Sequence, residues 1–114
     1  MIVYVSHPFP FDGKKSAKED VRRICQNDAE NLPDVLFIPA LTITCRDYDP
    51  TQYARDLGLL IELESRCDAV LMTGNWTASV GCRAEYEYTA RNGTPVAENW
   101  PELLAIYYDW RKRK

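Results

Sequence analysis

A hydroxyl, a residue without a side chain and a carboxylate follow one another in the segment Ser79-Val80-Gly81-Cys82-Arg83-Ala84-Glu85. The preceding loop, Gly74-Asn75-Trp76-Thr77-Ala78, runs straight into the start of a predicted helix. Unpaired N–H groups and the helix dipole favour an anion at such a terminus. Ser79 can bond a phosphate or a sugar hydroxyl there, and Gly81 permits close backbone approach. The plainer alternative is that Ser79 only caps the helix and Gly81 only packs. Glu85 and Glu87 differ by position. Glu87 lies four residues from both Arg83 and Arg91, the spacing of an exposed charge ladder. Glu85 shares a helical face with Gly81, Cys82, Tyr88 and Thr89, which is small and mostly apolar, so its carboxylate should turn inward. A carboxylate there is costly unless something pairs with it or uses it. Two readings follow, a functional carboxylate or a buried structural pair.

The elements that must position these groups alternate in type. Ile2–Ser6 is a β-branched and aromatic run ending at His7-Pro8, a strand followed by a loop. Ser16–Glu19 fits a capping box, and Val21, Ile24, Cys25, Ala29 and Leu32 follow at helical spacing until Pro33. Val35–Ile38 reads as the second strand. After an irregular stretch from Pro39 to Tyr48, Asp49-Pro50 opens a helix with Tyr53, Leu57, Leu60 and Ile61 on one face. Leu59 and Leu63 widen its apolar surface, either for packing on two sides or for a subunit contact. Asp68 leads into a third strand, Ala69–Met72. The helix Ser79–Asn92 ends at Gly93, and Thr94–Val96 is a short fourth strand. Asn99–Glu102 resembles a cap opening a last helix with Leu103, Leu104, Ile106, Tyr107 and Trp110.

Strands alternating with helices predict one α/β domain over residues 1–114, three-layered and Rossmann-like or flavodoxin-like. Its mostly parallel sheet should have four to five strands and helices on both faces. Ligands of such sheets sit at the carboxyl ends of the strands, near the point where strand order reverses. The loops Ser6–Phe9 and Gly74–Ser79 should meet there.

The chain has 114 residues, of which 46% are hydrophobic and 27% charged, as in one globular domain. No apolar run approaches the ~20 residues that span a bilayer, and Met1–Val5 lacks the basic flank of a secretory signal. A cytoplasmic protein with no membrane contact is the expectation. The net charge of -3 argues against coating nucleic acid, and Arg111–Lys114 reads as a solvated tail. Cys25, Cys45, Cys67 and Cys82 include no C-x-x-C pair and lie far in sequence from His7, so reduced structural thiols are expected, and no metal.

Taken together, Tyr4-Val5-Ser6-His7-Pro8-Phe9, Cys67-Asp68-Ala69-Val70, Gly74-Asn75-Trp76, Ser79-Val80-Gly81, Ala84-Glu85 and Gly93-Thr94-Pro95-Val96 resemble the nucleoside 2-deoxyribosyltransferase-like superfamily. Within it the chain looks most like the small DUF4406-type domains of bacteria and phages. The resemblance spans residues 2 to about 97. It implies cleavage or transfer of the N-glycosidic bond of a nucleoside or nucleoside 5'-monophosphate. Glu85 would be the catalytic nucleophile, forming a covalent glycosyl intermediate as in retaining glycosidases. The substrate-binding residues it implies are Ser6, His7, Pro8, Phe9, Asp68, Gly74, Asn75, Trp76, Ser79 and Gly81. It implies no metal or organic cofactor, and a homodimer or larger homo-oligomer.

The chain departs from that pattern in three places. His7 stands where the superfamily usually has Gly, either facing the ligand or stabilising the loop. Leu60 occupies the place of an aspartate that positions substrate or protonates the leaving base. Arg83 replaces a glycine and also fits the exposed ladder. Three functions follow: an N-glycosidase or deoxyribosyltransferase, a nucleotide-binding or sequestering module without turnover, or a small oligomerising domain.

Overall fold

The computed structural model describes residues 1–8, 16–39 and 53–113. Phe9, Cys45 and the Asp49-Pro50 helix start lie outside these residues.

Strands and helices alternate in the order β1 (Ile2–Ser6), α1 (Ser16–Asn31), β2 (Leu36–Pro39), α2 (Tyr53–Glu64), β3 (Ala69–Met72), α3 (Val80–Asn92), β4 (Val96–Ala97) and α4 (Trp100–Lys112). A 3₁₀ turn, Trp76–Ala78, precedes α3. The second and fourth strands begin one and two residues later than the sequence suggests. Pairing with β1 and β3 sets their limits, and residue type alone does not report it. Helix ends follow local chemistry. Gly93 closes α3 in the left-handed conformation at φ 76°, where a side chain would be strained. Asn99 caps α4: its Oδ1 accepts from the Glu102 N–H at 2.9 Å, while Glu102 accepts from the Glu98 N–H at 2.9 Å.

The four strands are parallel in the order β2-β1-β3-β4. The chain builds outward from β1 to β2, crosses back to β3, and continues outward to β4. The reversal falls between β1 and β3, whose register pairs Val3 with Ala69 and Ser6 with Met72. The loops leaving these two strands lead to helices on opposite faces of the sheet, and in such folds ligands bind at this reversal.

Successive side chains on a strand point to opposite faces. Val3, Val5, Ala69 and Leu71 pack with Val21 and Cys25 of α1 and Leu103 and Tyr107 of α4. Tyr4, Val70 and Met72 face the other way, with Cys82 of α3 and the half-buried Leu60 and Leu63 of α2. The first layer is sealed at its edge by the Tyr107 hydroxyl, which donates to the Asp34 carboxylate at 2.8 Å and accepts from Arg111 at 3.0 Å. Leu63 joins the core, whereas Leu59 is 56% exposed. Among the described residues no helix is long and apolar enough to cross a membrane.

Candidate active site

The carboxyl ends of β1 and β3 are stitched together. The Ser6 carbonyl accepts from both the backbone N–H (2.9 Å) and the hydroxyl (2.7 Å) of Thr73. The two departing loops then touch. Gly74 has φ 64°, and a Cβ built on it would lie 3.1 Å from Pro8 Cδ and 3.2 Å from His7 Nε2. The left-handed φ strains any side chain here, and a Cβ would also press on both rings, which would have to give by a few tenths of an ångström. His7 Nδ1 lies 2.9 Å from the Pro8 carbonyl, so the imidazole braces this loop.

Beyond Gly74, Asn75 is exposed and Trp76 half-buried, its ring stacked on Tyr86 at 4.9 Å between centroids. Ser79 caps α3, its hydroxyl accepting from the Cys82 N–H at 3.3 Å. Gly81, Cys82, Glu85 and Thr89 form the buried stripe of α3. Tyr88, expected on that stripe, is 37% exposed: it sits at the stripe's edge, where its ring reaches water. Arg83, Glu87 and Arg91 are all exposed, as the ladder requires.

Glu85 is only 5% exposed. It lies near Tyr4 and Ser6, two of the β1 side chains on that face of the sheet, and near Glu64, the last residue of α2. Sequence reasoning missed Glu64, which is 1% exposed, and Tyr4, which is fully buried. A signal for Glu64 was present: it falls four residues after Leu60 and seven after Leu57, on the apolar stripe of α2. Glu64 thus lies on the inward face of α2 as Glu85 lies on that of α3.

Both Glu64 oxygens, Oε2 of Glu85 and the Tyr4 hydroxyl are buried without a hydrogen bond. None of the ion pairs among the described residues involves either carboxylate. Tyr4, Ser6 and Glu64 approach Glu85 closely enough for side-chain hydrogen bonds that favour its anion, but two carboxylates facing each other without a proton supply no donor between them. Burial pushes Glu64 up to about 9, helped by the charge on Glu85. The carboxyl end of a helix carries partial negative charge and disfavours an anion there as well. Burial pushes Glu85 up to about 7, against the Tyr4 hydroxyl, the Glu64 carboxyl and the Ser6 hydroxyl, which favour its anion. Burial, then the two carboxylates, drive the Tyr4 phenol far up, so it stays neutral. Cys82 accepts a 3.3 Å contact from the Ser6 hydroxyl, and burial raises its thiol. Such a group can present one anionic carboxylate beside one neutral acid, with a phenol and a serine hydroxyl as neighbours.

Ser6, His7, Pro8, Gly74, Asn75, Trp76, Ser79, Gly81 and Glu85 thus share one end of the sheet. Asp68 does not. It stands before β3, where its N–H donates to the Ile2 carbonyl at 2.8 Å and its Oδ2 accepts from the Ile2 N–H at 2.7 Å. Roughly 13 Å of strand separates it from the opposite edge, so its role here is to clasp β1 to β3. Leu60 is half-buried in the apolar layer. Among the described residues no three His, Cys, Asp or Glu side chains group to hold a metal ion.

The family of this site is given by residues 1–98, which match the domain of unknown function DUF4406. The chain belongs to the DUF4406 family. Neither curated proteins nor solved structures yield a match. In this DUF4406 domain the matched region carries β1 through β4, and with them every carboxylate of the site.

Proposed function

We propose that this DUF4406 domain cleaves or transfers the N-glycosidic bond of a nucleoside or nucleoside 5'-monophosphate, with Glu85 as nucleophile. The observation that carries the reading is a buried carboxylate with no cationic partner among the described residues, at the end of the sheet where α/β folds bind ligands. A lone buried anion is expensive in an empty protein and useful beside a sugar carbon that becomes cationic. The resemblance of the Ser79–Glu85 segment and the β1 loop to nucleoside 2-deoxyribosyltransferase-like proteins supports the same chemistry.

In the first step a Glu85 oxygen bonds to the anomeric carbon. The carbon–nitrogen bond breaks, and its electron pair leaves with the base, which takes a proton from water. In the second step water, or an acceptor base, attacks the same carbon and frees Glu85 as the carboxylate. With water the products are free sugar and base, and the proton balance closes. The α3 terminus and Ser79 would hold a 5'-phosphate or 5'-hydroxyl. A second copy of the chain, as relatives use, would complete the site.

The test is release of free base from a panel of nucleosides and nucleoside monophosphates, followed by chromatography. Wild type should release base and Glu85→Gln should not. A second reading, a nucleotide-binding module without turnover, is favoured by Leu60 in place of an aspartate and by His7 packed against Gly74. Thermal stabilisation by a nucleotide with no base released would select it.

A further inference from the structure

We propose that Glu64 is a positioning residue for Glu85: it enters the pair as the neutral acid and donates a hydrogen bond to Oε2 of Glu85. The assignment of Glu85 as nucleophile is the reading this extends, but the proton arrangement stands without it.

Three observations converge on the pair. Two helices, α2 and α3, deliver carboxyls to one buried place beside Tyr4, and the ion pairs Arg23–Asp20, Arg66–Glu62 and Arg113–Asp109 involve neither of them. Oε2 of Glu85 is an acceptor lacking a donor, and both Glu64 oxygens are unpartnered. Two bare carboxylates supply no donor for any of these atoms, whereas one retained proton creates a donor opposite an acceptor. Two unit charges ~4 Å apart repel by about 4 kcal/mol at an effective dielectric of ~20, enough to hold one proton in the pair near neutrality. The groups facing Glu64 are Tyr4 from β1, Cys67 from the turn after α2, and Cys82 and Glu85 from α3. All except Glu85 have raised values that keep them neutral there at pH 7. Of the two acids, Glu64 sits at the carboxyl end of its helix, and the Tyr4 and Ser6 hydroxyls favour the anion of Glu85, so the proton rests on Glu64.

A nucleophile displaces the leaving group from the far side of the reacting carbon, so a group bonded to the nucleophile's own oxygen is remote from the leaving base. The effect of Glu64 falls on the second step instead. Glu85 must depart from the sugar as a carboxylate, and a hydrogen bond waiting at Oε2 stabilises that departure.

The decisive measurement is a carbon-13 titration of the glutamate side-chain carboxyls in the full chain. One carboxyl should remain protonated through neutrality and titrate on the alkaline side, and Glu64→Gln should remove that signal. The resonance lost in Glu85→Gln identifies Glu85. Its inflection should lie about one pH unit or more higher in Glu64→Leu, which cannot donate, than in Glu64→Gln, which can. In turnover, Glu64→Leu should slow the second step by about tenfold or more, so base appears as a burst. Glu64→Gln should restore the steady rate and abolish the alkaline decline of the wild type. The proposal is overturned if all wild-type carboxyls titrate in the ordinary acid range, or if the Glu85 inflection is the same in both Glu64 variants. If the titration behaves as stated but no nucleoside is cleaved, the paired proton stands and the glycosidic function fails. The wild-type titration decides even if Glu64→Leu does not fold.

Discussion

Replacing Glu64 by Gln should change how the protein's stability responds to pH. The folded chain holds Glu64 protonated up to about 9, whereas its ordinary value is 4.5. Between those limits the folded state binds a proton that the unfolded state has released, so stability must fall as pH rises. One extra proton corresponds to a loss of about 1.4 kcal/mol for each pH unit. The interval from pH 7 to 8 is dominated by this group. Asp28, raised to about 6 by burial, is almost fully ionised there, and Glu85, raised to about 7, passes from half to nearly full ionisation and adds a smaller share to the slope. The buried thiols of Cys25 and Cys67, pushed up to about 12 and about 11, contribute only where unfolded thiols begin to ionise. For a domain of this size 1 kcal/mol moves the melting temperature by roughly 4–8 °C. Wild type should therefore melt several degrees lower at pH 8 than at pH 7, and Glu64→Gln should lose most of that difference. Melting in buffers matched for ionic strength, by calorimetry or circular dichroism, measures it. Equal pH slopes in the two proteins would refute the inference that Glu64 is buried as the neutral acid.

Ser79→Ala removes the side-chain acceptor of the Cys82 N–H. It should lower stability by about 1 kcal/mol in denaturant unfolding, the usual value of a helix cap. Gly74→Ala must place a Cβ against the Pro8 and His7 rings at a left-handed φ. A loss of about 1–2 kcal/mol is expected, with weaker nucleotide binding by calorimetric titration because both loops must shift. Tyr107→Phe deletes the hydroxyl between Asp34 and Arg111. It should cost about 1 kcal/mol by thermal melting while leaving base release unchanged, since it lies in the layer opposite the site.

The α/β order was legible because hydrophobic period and turn chemistry agree along most of the chain. Pro33, Gly93 and Asn99 each end or start a helix for a reason internal to a few residues. The inward turn of Glu85 was legible too, from its contrast with Glu87 on the same helix. Glu64 was not recognised, because a carboxylate near a helix end looks solvated unless its stripe is followed back to Leu57. Asp68 was misplaced among the binding residues for a different reason. Its neighbourhood in sequence is the site loop, but a strand carries that loop to the other end of the sheet. Tyr4 was hidden among the apolar residues of β1. Only the arrival of two carboxyls from other elements gives its hydroxyl significance, and that meeting is a property of the tertiary structure.

The division of side chains across the sheet has a consequence for how variation should be tolerated. The α1 and α4 side is filled by Val, Leu and Phe with Tyr107 at its margin, and substitutions there should alter persistence of the fold alone. The α2 and α3 side stores ionisable groups at the expense of stability. Replacing the whole cluster together by apolar residues should yield a hardier protein without the carboxyl pair, because no buried polar atom is then left without a partner. Selection for heat resistance alone would therefore erode one side of this sheet and spare the other.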